Sequence, residues 1–236
     1  MRAVSLLSGG LDSTTALAIA LSEGYEVYPL TIIYGQRHNK EIESAKKISQ
    51  YYGLNLKIVY VDLRNIGGSA LTDDIKVPEN KIEEIGKEIP VTYVPARNTI
   101  FLSIALGYAE VINAEKIFIG VNALDYSGYP DCRPEYINEF NKLAKLATKA
   151  GVEGKSIEIV APLINMSKAE IIKKGMELNV PYHLTWSCYN GREKACGKCD
   201  SCLLRLKGFM EAGYEDPLEY EYYPEFYLEY LKGKRK

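Results

Sequence analysis

The sequence predicts an α/β protein with a doubly wound, five-stranded parallel sheet and a small C-terminal region of helices and cysteines. Short apolar segments alternate with longer segments of helical spacing up to about residue 180. Several of the short segments are apolar at nearly every position, as is typical of strands buried on both faces of a parallel sheet. The alternation ends where four of the five cysteines cluster, between Cys188 and Cys202.

Five strands are predicted, at residues 3–7, 27–34, 56–63, 116–121 and 157–163. Helices are predicted at residues 13–23, 40–52, 99–112, 134–149 and 167–178, and a further one at 203–212. Ser167 is a suitable N-terminal cap for the fifth of these helices. A β-α-β-α series favours parallel strands with helices packed on both faces of the sheet.

The composition limits the class of protein. There are 236 residues, with 29 Lys+Arg against 31 Asp+Glu, a formal net charge of −2, and 47% are hydrophobic. That balance excludes disordered, collagen-like and disulfide-scaffold proteins, and its neutrality argues against a dedicated nucleic-acid binder. No segment matches a membrane span or a signal peptide. We therefore expect a cytoplasmic protein with reduced cysteines and neither membrane nor nucleic-acid partners.

Two segments depart from the alternation. Residues 65–95 form a long connection with several prolines and one weak helical stretch at 81–87, and a connection of this length is usually functional or mobile. A boundary is predicted near residue 184. It separates an α/β domain at 1–184 from a C-terminal region at 185–236, whose tyrosine-rich tail we expect to pack on the core or on a second subunit.

A glycine-rich segment joins the first strand to the first helix. It reads Ser-Gly-Gly-Leu-Asp-Ser-Thr at residues 8–14. Its two glycines allow a sharp turn and a close approach of the backbone to a ligand. The helix that follows directs free N–H groups and its positive dipole end toward the same place, which favours phosphate binding. The alternative is an ordinary Gly-Gly turn before a capped helix.

This segment resembles the pyrophosphate loop of the PP-loop ATP pyrophosphatases, which have the adenine nucleotide alpha hydrolase-like fold. The resemblance implies ATP with Mg²⁺ as co-substrate, cleavage between the α and β phosphates, and adenylation of a carboxylate or carbonyl oxygen. Lys168 matches a family position that neutralises phosphate charge; the alternative is a solvated surface lysine. Asp12 is assigned to loop geometry or metal contact. The implied nucleotide-binding residues are Ser8, Gly9, Gly10, Leu11, Asp12, Ser13, Thr14 and Thr15.

Three further segments follow strands or precede a helix where ligands bind to doubly wound sheets, outside the carboxyl ends of the strands. They cover residues 34–38, 94–99 and 125–134. Carboxylates can accept hydrogen bonds from ring and amino N–H groups, and tyrosines can stack on a planar substrate. Arg97 suits a carboxylate or a phosphate. In the usual strand order of this superfamily, the loop at 125–133 faces the pyrophosphate loop.

Together with the cysteine cluster, these segments resemble the 7-cyano-7-deazaguanine synthase family from residue 1 to about residue 213; the alternative is another ligase with a polar loop. The resemblance implies ATP-dependent conversion of 7-carboxy-7-deazaguanine and ammonium to the nitrile, through an adenylated carboxylate and an amide, by a homodimer. It implies catalytic roles for Arg97 and Lys168. The implied substrate contacts are Gln36, Arg37, His38, Asp125, Ser127, Tyr129, Asp131 and Arg133.

The spacing Cys188-x7-Cys196-x2-Cys199-x2-Cys202 predicts one structural Zn²⁺ per chain, because four thiolates close a tetrahedral site. A [4Fe–4S] cluster is the alternative, although the fourth Cys-Pro of the ferredoxin pattern is missing. The remaining Cys132 is expected to pack or to hydrogen-bond rather than to act as a nucleophile. A tRNA sulfur transferase is the rival function, and it would require a basic surface and a reactive cysteine.

Overall fold

The computed structural model describes residues 1–79, 82, 85, 88–124 and 129–234. All strand pairs are parallel, and the order across the sheet is β3-β2-β1-β4-β5. The predicted doubly wound, five-stranded parallel sheet is confirmed. The strands are β1 Arg2–Leu6, β2 Glu26–Ile33, β3 Lys57–Tyr60, β4 Lys116–Phe118 and β5 Glu158–Val160.

The central strands are apolar on both faces because helices cover both. Val4 of β1 pairs with Ile117 of β4, and neither is exposed. One apolar cluster packs the sheet against the helices at 11–22, 40–51, 168–177 and 200–212. A second cluster packs it against the helices at 97–111 and 134–147. The helices are α1 Leu11–Ser22, α2 Lys40–Tyr51, α3 Arg97–Val111, α4 Pro134–Ala147, α5 Lys149–Val152, α6 Lys168–Glu177, α7 Asp200–Ala212 and α8 Glu225–Lys234.

Two helices differ from their predicted bounds because of the residues at their ends. Helix α1 begins at Leu11, two residues before its predicted start, because Gly10 has the extended backbone of an N-cap. The predicted fourth helix is divided, since Thr148 is extended and its side chain caps the short α5. Ser167 caps α6 as predicted, and it forms a reciprocal capping box with Glu170.

The long connection between β3 and α3 is largely irregular. It begins with a 3-10 turn at Leu63–Asn65. Further along, the Ala70 N–H donates to the Val91 carbonyl at 2.7 Å, and Ala70, Leu71 and Val94 are buried. Most of the weak helical stretch expected at 81–87 lies outside the described residues. Among the described helices, none has the length and apolar character required to cross a membrane.

The tyrosine-rich tail packs on the cysteine cluster. Tyr220 and Tyr227 are buried in one apolar cluster with the four cysteines. Arg205 of α7 and Asp216 form an ion pair at 2.7 Å, with side chains 2% and 0% exposed. The region also contacts the α/β core, since the backbone N–H of Trp186 donates to the Gly9 carbonyl at 2.8 Å. The division at residue 184 stays a prediction.

Candidate active site

The loop between β1 and α1 is held together by its own hydroxyl groups. The Ser8 and Ser13 Oγ atoms are 2.9 Å apart, and the Ser8 N–H donates to Ser13 Oγ at 3.2 Å. Thr14 Oγ1 donates to the Gly10 carbonyl at 2.7 Å. These bonds fold the chain into a tight turn at the N-terminus of α1, where backbone N–H groups favour anions.

Two glycines, Gly9 and Gly120, allow the close packing around this loop. The sequence pattern indicates Gly9 but not Gly120. Gly9 has φ of +89°, and a Cβ on it would meet the Glu41 carbonyl and the Ala45 nitrogen. Gly120, just after β4, lies so close to α1 that a Cβ would be 2.7 Å from the Ser13 nitrogen. At Gly10, by contrast, a Cβ would make only ordinary contacts. The steric requirement within the protein therefore falls on Gly9 and Gly120.

Lys168 lies at the first position of α6, and its ammonium reaches the pyrophosphate loop. Its Nζ donates to both carboxylate oxygens of Asp12, at 2.7 and 2.8 Å. The two side chains are 7% and 17% exposed, which excludes the solvated-lysine alternative. The lysine stem packs against Gly208 of α7, where a Cβ would collide with it. A cation is thus fixed beside the loop, and Asp12 holds it.

A cavity of about 220 Å³ opens at the carboxyl ends of β1, β2 and β4, as expected for a doubly wound sheet. The strand order places β4 next to β1, as the superfamily resemblance implied. Trp186 and Ser187 contribute from the C-terminal region. Of the predicted site residues, the cavity is lined by Ser8, Gly10, Leu11, Asp12, Ser13, Gln36, Arg97 and Tyr129.

Arg97 contributes a positive charge to the lining of the cavity. It is the first residue of α3, after Ala96 in the left-handed conformation at φ 53°. Its guanidinium lies 5.7 Å from the centre of the Tyr34 ring, and it donates to the Tyr34 hydroxyl at 3.4 Å. No carboxylate among the described residues forms an ion pair with it. This cation is therefore positioned to bind an anionic ligand.

The predicted substrate loop contributes in part. Tyr129 lines the cavity, and its hydroxyl lies 3.0 Å from Thr92 Oγ1. Asp131 is buried, and its carboxylate accepts from the Asn98 N–H at 3.0 Å, so it caps the start of α3 rather than lining the cavity. Asp125 and Ser127 lie outside the described residues.

Four further predicted residues lie away from the cavity, each for an identifiable reason. Arg37 is exposed and donates to the Ile75 carbonyl at 3.1 Å. Burial lowers the pKa of His38, whose ring packs against Gly191. Arg133 is exposed as the N-cap of α4. The Thr15 hydroxyl lies 2.9 Å from the Tyr182 hydroxyl and supports the core.

Sequence reasoning missed Glu41 and Trp186, which also line the cavity. Burial raises the pKa of Glu41 to about 7, although the charge of Arg97 opposes the shift. Glu41 comes three residues after the Tyr-Gly-Gln-Arg-His segment, on the first turn of α2, and helical spacing from the buried Ile48 and Ala45 could have placed it toward the loop. No sequence pattern indicated Trp186, because it meets Gly9 only in the folded chain.

Cys132 also lines the cavity, but its environment keeps the thiol protonated. Burial, followed by the charge of Asp131, raises its pKa to about 12. The Asn98 amide donates to its sulfur at 3.4 Å. A thiol with this pKa is a poor nucleophile at neutral pH, which agrees with the hydrogen-bonding role expected from the sequence.

The four clustered cysteines meet as predicted. Their sulfurs lie within 4.8 Å of one another, and all four residues are buried. Backbone N–H groups of Asn190 and Cys196 both donate to Cys188 Sγ at 3.3 Å, as suits a thiolate. Neighbouring thiols and backbone donors hold the pKa of Cys196 well below its usual value. This donor set fits a tetrahedral, sulfur-ligated metal ion.

Comparison with known proteins identifies the family. The family model described as "Queuosine biosynthesis protein QueC" matches residues 2–213. The chain belongs to this family. Among named relatives, the 7-cyano-7-deazaguanine synthase of Picrophilus torridus is 67% identical over 233 residues, which are 99% of this chain and 97% of the relative. That of Thermoplasma acidophilum is 62% identical over 235 residues, 100% of this chain and 98% of the relative.

Among solved structures, NMN synthetase from Francisella tularensis aligns with 98% of this chain and 82% of its own, with a TM-score of 0.48 and 15% sequence identity.

Proposed function

We propose that this QueC-family protein is a 7-cyano-7-deazaguanine synthase, which converts 7-carboxy-7-deazaguanine, ammonia and ATP to the nitrile in queuosine or archaeosine biosynthesis. The names of relatives at 62% and 67% identity over nearly their full lengths support this reaction. The observation that carries it is that the pyrophosphate loop, the Arg97 cation and the aromatic ring of Tyr129 line the same cavity. Those groups suit a nucleotide, a carboxylate and a planar base respectively.

The first half of the reaction forms an acyl adenylate. A carboxylate oxygen of the substrate attacks the α-phosphorus, and pyrophosphate leaves with the electrons of the broken P–O bond. The N–H groups at the start of α1 and the Lys168 ammonium, 2.7 Å from Asp12, would stabilise the leaving charge, which is the main contribution a protein makes to such transfers. Mg²⁺ bound with ATP would neutralise phosphate charge, and Asp12 is the carboxylate of the loop that would contact it.

The second half adds one nitrogen and then converts the amide to the nitrile, so ammonia is required only once. Ammonia attacks the acyl carbon, AMP leaves with the C–O electron pair, and the amide forms. A second ATP then adenylates the amide oxygen. Loss of the two N–H protons and departure of AMP with the oxygen yields the nitrile. Free ammonium is the proposed nitrogen donor, and the chain positions each intermediate next to the same loop.

The four-cysteine cluster is proposed to hold one structural zinc ion. Four buried sulfur ligands fill a tetrahedral shell, so no position remains for substrate. The ion would fix the segment that carries Trp186, whose backbone N–H donates to the Gly9 carbonyl of the pyrophosphate loop at 2.8 Å. We further propose a cytoplasmic homodimer, in line with the family resemblance.

The decisive experiment incubates the protein with ATP, Mg²⁺, ammonium and the carboxylic acid. The nitrile should appear by mass spectrometry, with two AMP and two pyrophosphate formed per nitrile. Addition of tRNA should change nothing. ADP as the primary product, or AMP release that requires tRNA, would overturn the proposal and favour another member of the ATP-cleaving class.

A further inference from the structure

Glu41 is an acidic side chain in the cavity that the mechanism above does not use. It lies in the first turn of α2, and its backbone carbonyl packs directly on Gly9 of the pyrophosphate loop. Its side chain lines the same cavity as Ser13 and Arg97. No hydrogen bond or ion pair joins its carboxylate to any other residue that the structure describes, so it is free to bind a ligand.

We propose that Glu41 binds the ammonium ion beside the pyrophosphate loop and removes the proton that must leave before the nitrogen can attack the acyl adenylate. This inference rests on the proposed function and adds the nitrogen site to it. At neutral pH ammonia is protonated, as the lysine amine is, and ammonium has no electron pair with which to attack carbon. A nitrogen site therefore needs both a counter-charge and a base.

The position of Glu41 favours the nitrogen site over recognition of the deazaguanine ring. The acyl carbon of the intermediate is joined through one oxygen to the α-phosphorus, which must lie next to the loop. The backbone of Glu41 lies against that loop, because its carbonyl packs on Gly9. The ring would extend away from it, toward Tyr129.

The charged surroundings of Glu41 suit a base that works near neutral pH. Burial raises the pKa of its carboxyl to about 7, and Arg97 of α3 is the cation that opposes the shift. A base is most effective when its pKa lies close to the working pH. The other titratable groups around it are Lys40 on its own helix, Asp12 of α1 with its partner Lys168 of α6, and the cavity-lining groups Tyr34, Tyr129, Cys132 and Tyr189.

The proton and electron balance is complete with the groups named. One N–H bond of ammonium breaks, and its proton moves to a Glu41 carboxylate oxygen. The nitrogen lone pair forms the C–N bond, and the C–O bond to AMP breaks with its electrons going to the AMP phosphate. One further N–H proton passes from the adduct to water, which gives the neutral amide. No oxidant or reductant is required.

The test separates adenylation from nitrogen transfer in the full-length protein. Exchange of labelled pyrophosphate into ATP, with the carboxylic acid present and no ammonium, measures adenylation alone. Formation of amide and nitrile measures nitrogen transfer. Hydroxylamine, which is unprotonated at neutral pH, provides a nucleophile that needs no prior deprotonation and gives the hydroxamate. The variants are Glu41→Gln and, as the matched control, Glu43→Gln, an exposed carboxylate in the same turn.

We expect Glu41→Gln to retain pyrophosphate exchange and hydroxamate formation within about threefold, while ammonium-dependent turnover falls by about 10²–10⁴-fold, the usual contribution of a positioned base. The parent's ammonium-dependent rate should rise with pH through about 7, where Glu41 loses its proton, and this limb should move to higher pH in the variant. Glu43→Gln should match the parent throughout.

Equal losses of exchange and ammonium-dependent turnover would overturn the inference and assign Glu41 to nucleotide or acid binding. Unchanged ammonium-dependent turnover would overturn it as well. If the parent itself exchanges pyrophosphate but forms no nitrile, the proposed function fails instead, and the two failures are therefore distinguishable. Circular dichroism and zinc content of each variant would establish that it is folded.

Discussion

Lys168 and Asp12 are 156 residues apart in the chain, yet the lysine Nζ lies 2.7 and 2.8 Å from the two carboxylate oxygens. The pair joins the start of α6 to Asp12, which lies in the pyrophosphate loop and in the first turn of α1. An anion that enters the loop meets a cation already fixed in place. Asp12 thus positions the lysine and offsets its charge.

We predict that Lys168→Met lowers acid-dependent pyrophosphate exchange by about 10²–10³-fold, the usual loss when one stabilising donor is removed from a developing oxyanion. Asp12 would remain as an uncompensated negative charge next to the phosphates, which adds to the loss. Lys174→Met is the control, because Lys174 lies on the same helix but is paired with Glu177 at the surface. Unchanged pyrophosphate exchange in Lys168→Met would show that this lysine does not act on the phosphates.

We predict that Cys132→Ala retains nitrile synthesis within about tenfold. The pKa of this thiol is raised to about 12, by burial first and then by the charge of Asp131. The thiolate is therefore scarce at any pH below that value, and no step requires it. The rate should be measured at several pH values from 6 to 9. Complete loss in a folded, ATP-binding variant would instead indicate a covalent thioester intermediate.

We predict that Gly9→Ala destabilises the protein far more than Gly24→Ala. Both glycines have left-handed backbone, with φ of +89° and +83°, but a Cβ on Gly24 would have no atom within 4 Å, whereas one on Gly9 would collide with the Glu41 carbonyl. Strained backbone alone costs about 1–3 kcal/mol, so Gly24→Ala isolates that cost. Urea unfolding of the two variants gives the difference. If Gly9→Ala and Gly24→Ala have equal free energies of unfolding, α2 must move to make room for the new Cβ at residue 9.

The sequence predicted the sheet and the pyrophosphate loop because both depend on local pattern. Buried parallel strands are apolar at consecutive positions, and the glycine-rich loop must follow β1 directly. The rest of the site depends on contacts between distant segments. Trp186 and Gly9 lie far apart in the chain, and Asp131 caps α3 through a hydrogen bond from Asn98. Neither contact leaves a periodic trace in the residues around it.

We predict about one zinc per chain in a colourless protein. Cys188→Ser should lose the metal and most of the soluble yield, because structural zinc contributes about 10 kcal/mol or more to the folding of small domains. Cys132→Ser is the matched control, since its sulfur lies outside the cluster. Elemental analysis and absorbance near 400 nm (a typical iron–sulfur band) decide the outcome. A brown protein that contains iron would favour the iron–sulfur alternative.

The final prediction concerns the buried pair of Arg205 and Asp216, which ties the tail to α7. Arg205 also donates to Thr185 Oγ1 at 2.7 Å, and Asp216 accepts from the Tyr220 hydroxyl at 2.6 Å. Removal of one partner leaves the other charge buried without compensation. We therefore expect Arg205→Met to lower the free energy of unfolding by about 3–5 kcal/mol, measured by urea denaturation with zinc present.

Arg192→Met provides the comparison, because its ion pair with Glu221 is exposed at 65% and 38% and exposed pairs contribute about 0–1 kcal/mol. The double variant Arg205→Met, Asp216→Asn should recover part of the loss, since it no longer buries a lone carboxylate. If the double variant is as unstable as the sum of the single ones, the cost comes from lost packing around the guanidinium. The pair would then be important for its shape and not for its charge.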